Sequence, residues 1–311
     1  MDHVANAQQL TRPQPARKAD PDNEVPSALV DVDVAALTHP GKVRENNEDQ
    51  FLVGRFERDL EVLLSSLHQD DIPRHSREIG YAMIVADGIG GAEGGEVASR
   101  LAIKTLLELV IQTPDWIMRL DDDLVEKFVR RVSDRYRKAD AAIRTQALSD
   151  PSLVRMGTTL TLAVSLAADL FVIHVGDSRA YLLRKGQLRQ LTRDQTVTQS
   201  LLDAGVLTHQ QAATHNMRHV LTQALGQHAD KLKIEVQSLK LADGDCLLLC
   251  TDGLTDMVPD GEISAVLVNS GKAEQQCQAL MDKALEAGGK DNITVVVAHY
   301  SLPTDGTTSG D

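Results

Sequence analysis

The chain has 311 residues, 42% of them hydrophobic but only 3% aromatic, and a formal net charge of −13. It is long enough to bury a sizeable, mainly aliphatic core. The acidic balance argues against binding nucleic acid or an anionic membrane surface, and is compatible with binding cations.

Residues 1–27 are polar and carry Pro13, Pro15, Pro21 and Pro26, the composition of a flexible tail. They hold no apolar stretch of the secretory kind, and no apolar run nears the ~20 residues a membrane span needs. A cytoplasmic protein is expected. One domain over 28–302 follows, with 303–311 as a second flexible tail.

Within that domain, residues 30–37 alternate weakly, and 50–53 read as a short strand before a glycine. Leu60, Leu63, Leu64 and Leu67 have helical spacing, which predicts a helix over 57–67; the polar stretch 68–79, broken by Pro73, reads as a surface insertion. The continuous apolar run 81–86 predicts a buried strand. A long amphipathic helix is expected over 95–112, with Val97, Leu101, Thr105, Leu106, Leu109 and Val110 on its apolar face. Another is expected over 121–147, with Val125, Val129, Val132, Tyr136, Ala139, Ile143 and Ala147 on one face. Asp121, Asp122 and Asp123 lie at its start, where negative charge is favoured. Strands return at 158–166, 170–175, 180–184, 246–251 and 293–299, and 194–226 interrupts them with short helical stretches. Strands, then two long helices, then strands again is not a βαβ alternation. It implies an α+β fold of antiparallel sheets with helices packed outside.

The three cysteines, Cys246, Cys250 and Cys277, give no disulfide framework and no paired zinc spacing. Cys246 and Cys250 flank an apolar run and read as buried strand residues of a protein in a reducing compartment.

Acidic residues recur at strand ends beside glycine. Asp87 follows 81–86 and opens DGIGG; Asp177 follows 170–175 in GDSR; Asp252 follows 246–251 in DGLTD; Asp291 precedes 293–299 in DN. An isolated DG is most often only a turn. Carboxylates gathered at one end of a sheet would raise one another's pKa, a penalty that a divalent cation removes. Oxygen ligands without a Cys or His cluster favour Mg²⁺ or Mn²⁺ over Zn²⁺.

Taken in order, GKVRENNED (41–49), DGIGG (87–91), GTT (157–159), GDSR (176–179), DGLTD (252–256) and DN (291–292) resemble the motif set of the protein phosphatase 2C family, over roughly 30–302. The resemblance implies a four-layer α-β-β-α sandwich, two antiparallel sheets flanked by helices. It implies a metal-dependent serine/threonine phosphoprotein phosphatase of the bacterial type, with two tightly bound Mn²⁺ or Mg²⁺ ions and a weaker third. By motif, Asp87 would bridge two cations, one also held by the Gly88 carbonyl and, directly or through water, by Glu48, the other by Asp252 and Asp291. Asp177, Asp252 and Asp256 match positions that bind the third. Arg44 matches the arginine that grips the substrate phosphate, and Asp49 and Asn292 match supporting positions. A metal-bridged hydroxide would attack phosphorus in line, with no phospho-enzyme.

Some members of the family carry a histidine in or just after the glycine cluster; here those positions are Ile89 and Ala92. His174 reads as a packed core residue, and His209, His215 and His219 fall in 194–226 outside any motif. The general acid therefore has no assigned side chain, and a metal-bound water is expected in its place. Residues 194–226 correspond to the mobile flap of bacterial relatives, a segment of the kind that influences substrate choice. Expected partners are phosphorylated proteins and a cognate Hanks-type serine/threonine kinase, with the protein a monomer. A catalytically silent regulatory module or a hydrolase of small phosphate esters would share many of these motifs, although a silent member would normally have lost metal ligands.

Overall fold

The computed structural model describes residues 30–61, 63–64, 75–90, 94–112, 122–227, 232–269 and 271–302. Both expected tails, Gly91, Ala92, Asp121 and most of the expected insertion lie outside the described residues.

Strand β1 (Asp31–His39) leads into the GKVRENNED loop, and β2 (Gln50–Glu61) pairs antiparallel with β3 (His75–Ala86) along its whole length. This corrects the expected helix at 57–67. Its first five residues extend β2, with Glu57 opposite Ile79 and Glu61 opposite His75, and 75–79 are strand rather than insertion. Leu63 and Leu64 are 79% and 91% exposed. Leu63 and Leu64 thus take no part in the core, and the hairpin partner completes the backbone ladder for 57–61.

A two-residue strand, β4 (Gly88–Ile89), precedes helices α1 (Gly94–Gln112) and α2 (Asp122–Ser149). Helix α2 buries Val132, Tyr136, Ala139, Ile143 and Ala147, as its periodicity predicts. Helix α1 departs from expectation. Gly94, Gly95, Ala98, Ser99, Ala102, Ile103 and Leu106 are buried, Val97 and Leu101 only partly so, and Val110 is exposed. Small residues let its first turns approach the backbone closely: a Cβ on Gly95 would collide with the Glu48 carboxylate and the Gly88 backbone. Close approach outweighs side-chain size in choosing the buried face.

After α2 come β5 (Gly157–Thr158), β6 (Leu160–Leu166), β7 (Asp169–Val175), β8 (Arg179–Arg184) and β9 (Gln187–Gln190). The interrupting segment carries two short helices, α3 (Val197–Asp203) and α4 (His209–Ala213). The chain closes with β10 (Glu235–Lys240), β11 (Cys246–Cys250), α5 (Asp252–Thr255), α6 (Asp260–Val268), α7 (Ala273–Glu286) and β12 (Ile293–Ser301).

Two five-stranded antiparallel sheets result, ordered β1-β12-β11-β8-β9 and β10-β7-β6-β3-β2, with β4 and β5 forming a small third ladder. Helices α1 and α2 cover the second sheet through Leu160, Leu162, Phe171 and Ile173. Helices α5 to α7 cover the first through Leu248, Cys250, Val295 and Val297. Between the sheets, Met83, Val85, Ala163, Val172, Leu247, Leu249 and Val296 interlock. The fold is thus the expected α-β-β-α sandwich. Its central strands are buried on both faces, which is why they read as continuous apolar runs. Cys246 and Cys250 face the helices and Cys277 sits on α7; all three are buried and free.

Candidate metal centre

Strands from both sheets end at one cleft of about 560 Å³, lined by Arg44, Glu48, Asp87, Gly88, Asp177, Asp252, Asp291 and Asn292 among others. Eight positions spread over 249 residues of sequence, 44 to 292, thereby meet. Asp256 lines an adjoining cleft of about 590 Å³, which shares Asp177 and Asp252 with the first.

Each carboxylate is set by a local device. Asp87 leaves β3 with its N–H donating to Thr159 Oγ1 at 2.9 Å, and its carbonyl accepts from Thr159 N–H and the Thr158 hydroxyl. The GTT motif therefore holds Asp87 by its backbone and leaves its carboxylate for the cleft. Gly88 is packed between the Gly95 and Glu48 carbonyls, with no room for a Cβ. Asp177 sits in the β7–β8 turn, where Gly176 takes φ +113°, a backbone conformation that favours glycine. Asp252 caps β11 as the first residue of α5, and the Asp256 N–H donates to the Asp252 carbonyl at 2.8 Å.

Asn292 ties the motif loop to β12. Its Nδ2 donates to the Pro40 and Asn46 carbonyls at 2.9 and 2.8 Å, and its Oδ1 accepts from the Glu48 N–H at 2.8 Å. Behind the cleft, Asp49 Oδ2 accepts from the Thr251 and Thr294 hydroxyls, both at 2.8 Å, while its buried Oδ1 has no partner. Arg44 reaches in from an exposed position and pairs with Asp291 at 2.7 Å.

The electrostatics record crowding. Desolvation, and then the Asp252 carboxylate, hold Asp87 well above the usual carboxylate range. Asp177 is raised in the same way by the same two causes. Burial is also the main cause that lifts Glu48, Asp256 and Asp49, the last to about 7. An all-oxygen donor set strained by its own repulsion fits hard divalent cations, which would remove that penalty.

The expected histidine reading is half complete. His174 is buried, bonded to Thr161 and to the Gly176 carbonyl, as a core residue should be. His219 was missed. It lines both clefts, with Nδ1 3.7 Å from Asp252 and Nε2 3.3 Å from Asp256. Asp252 above all raises its pKa; at 3.7 Å that hold is electrostatic rather than a well-formed hydrogen bond. No spacing in the sequence links positions 219 and 252. The supporting hydroxyls of Thr159, Thr251 and Thr294 did leave a signal, as polar residues at buried strand ends.

Segment 194–226, the expected flap, is tethered at both ends. Arg179 grips Asp194 through two nitrogens, at 2.9 and 2.6 Å, and Gln195 bonds Gly176 through backbone and side chain. At the far end Thr222 N–H donates to the Gln195 carbonyl and Leu225 pairs with Thr158.

Two packed antiparallel sheets deliver carboxylates to a shared open end, with an arginine at the rim. Comparison with known proteins makes this specific. A family profile for protein phosphatase 2C matches residues 65–288. Serine/threonine protein phosphatase PstP of Mycobacterium tuberculosis is 36% identical over 264 residues, which are 85% of this chain but 44% of that protein. Serine/threonine phosphatase stp of Listeria monocytogenes is 33% identical over 269 residues, 86% of this chain and 96% of its own length. The crystal structure of the PstP catalytic domain with two manganese ions superposes with a TM-score of 0.68 at 33% identity, covering 88% of this chain and all of that one. The chain belongs to the protein phosphatase 2C family. It spans under half the length of the mycobacterial relative. Among the described residues no helix is long and apolar enough to cross a membrane.

Proposed function

We propose that the protein is a metal-dependent phosphatase that removes phosphate from serine and threonine side chains of proteins. The observation that carries this reading is the meeting of Glu48, Asp87, Asp177, Asp252 and Asp291 with Arg44 on one cleft. Asp87, the Gly88 carbonyl and Glu48 would hold one cation, and Asp87, Asp252 and Asp291 the other. When bound, the cations would supply Lewis acidity, offsetting phosphate charge and making hydroxide available near neutral pH.

The chain's own residues do the rest. Arg44 swings between Asp291 and a substrate phosphate, to which its planar fork presents paired donors. Asn292 and the GTT hydroxyls keep the carboxylate-bearing backbone fixed, so little reorganisation is needed as charge develops. Asp49 braces β11 against β12 through Thr251 and Thr294. No protein nucleophile is required. The three cysteines are buried, and burial pushes each thiol up to about 12, so none is a reactive thiolate. The open cleft suits an extended phosphopeptide, and the substrates would be the products of a serine/threonine kinase.

Hydrolysis of a phosphothreonine peptide with Mn²⁺, Mg²⁺ or EDTA, beside a small phosphate ester, tests this. Metal-dependent release that EDTA abolishes, faster on the peptide, is expected. A folded protein inert with both metals would point to a silent binding module, and preference for the small ester would move the substrate class.

A further inference from the structure

Among the described residues that line the first cleft, His219 is the one titratable side chain that the motif set does not supply. The resemblance assigns carboxylates to a weaker third cation, all from the sandwich body. The structure adds an imidazole from the flap. Backbone bonds fix the chain just after it, Val197 N–H to the Val220 carbonyl at 2.8 Å and Thr222 N–H to the Gln195 carbonyl at 2.7 Å, and Val220 N–H reaches back across it to the Met217 carbonyl at 3.0 Å. The His219 ring meets α5 at its first residue, Asp252, 3.7 Å from Nδ1, and at its C-cap, Asp256, 3.3 Å from Nε2, two carboxylates one helical turn apart. One ligand atom from each of His219, Asp252 and Asp256 lies within 4.8 Å of the others, so a small side-chain adjustment would bring all three onto a single ion. Asp177 borders the same space, and the adjoining cleft leaves room for water ligands.

We propose that His219 is a flap-borne nitrogen ligand that completes, with Asp252 and Asp256, a site for a divalent cation of the borderline class. The inference rests on the phosphatase reading for the neighbouring two-cation centre, and deepens it. Two consequences follow from the chemistry. A nitrogen in the donor set shifts preference away from Mg²⁺ toward Mn²⁺, Co²⁺ or Zn²⁺. Ligation from the flap also links the two events: cation binding holds the flap down, and flap release weakens the cation.

The two-cation centre has oxygen donors only, so an imidazole signal on bound metal reports this site alone. Wild-type protein equilibrated with Mn²⁺ should bind more than two equivalents by elemental analysis. Its pulsed EPR spectrum should show ¹⁴N modulation from a histidine. His219→Ala should lose that modulation and one equivalent, with affinity for the weakest cation reduced roughly tenfold or more. Zn²⁺ should slow proteolysis within 204–219 in the wild type and not in His219→Ala. Two equivalents bound without ¹⁴N modulation in the wild type would overturn the proposal and leave the phosphatase reading standing. Modulation that persists in His219→Ala would also overturn it. Failure to bind any cation would overturn both readings. The wild-type spectrum decides the matter even if the variant misfolds.

Discussion

The two walls of the cleft are built on opposite principles. The body wall, from Glu48 and Asp87 to Asp291, hangs on buried strand ends whose backbone and side-chain partners are nearly all satisfied. The flap wall, 194–226, is pinned at its two roots, and between them Val206 is 63% exposed and Met217 and Val220 lie open. Rigid placement is what cation and phosphate chemistry requires; an adaptable, lightly packed segment is what contact with varied protein substrates allows. His219 is where the second wall touches the first.

That contrast is open to attack, most severely at its rigid side. Asp252→Ala removes a donor shared by both clefts, and should lower kcat on a phosphothreonine peptide by about 10²–10³-fold or more. A loss under about tenfold would mean that the body wall is not the reaction centre. Arg44→Ala should lower kcat/KM by about 10²-fold, and Arg44→Lys should recover only part of it, because a point charge lacks the paired donors. Equal activity of the two variants would show that charge alone matters.

The framework itself can be tested without turnover. Asn292→Ala deletes three hydrogen bonds from a buried side chain. At about 1 kcal/mol each it should cost about 2–3 kcal/mol in urea unfolding. An effect of comparable size comes from pH, carried by Asp49 together with the raised carboxylates Asp87 and Asp177. Asp49 titrates at about 7 when folded, against an ordinary 3.8. Between those values the folded state binds more protons than the unfolded one, so stability falls as pH rises from about 4 to 7. Metal-free protein in EDTA should therefore melt lower at pH 7 than at pH 5. Mn²⁺ competes with those protons and should cancel or reverse the trend. The smallest effect belongs to the flap. Val206→Ser should change stability by no more than about 0.5 kcal/mol, and any change in activity should appear in KM for peptides. A large loss of stability would show the flap to be as built-in as the body.

Much of the fold was legible because the signals were local and mutually consistent. The apolar runs at 81–86, 246–251 and 293–299 became central strands, and the periodicity of 121–147 became α2 with its predicted face. The acidic strand ends were legible too, since aspartate beside glycine after a buried strand is a pattern with a mechanism. Other elements left weaker marks. β9 and β10 are edge strands with few apolar residues, and were not anticipated.

By itself, then, the sequence determined the α+β class, the aliphatic core and the acidic strand ends Asp87, Asp177, Asp252 and Asp291, because each follows from composition and short-range spacing; the layer order and the places of Glu48 and Asp256 came from the motif resemblance. Only the tertiary structure decided three other things. It decided that 57–61 would be strand, since the partner strand 75–86 supplied the ladder. It decided that α1 would bury glycine, alanine and serine rather than its larger side chains, since Glu48 and Gly88 demand close approach. And it decided that His219 would face Asp252 and Asp256, since the flap is held by backbone bonds to distant residues. All three depend on contacts between segments far apart in the chain, and no local pattern encodes which distant surface a segment will meet.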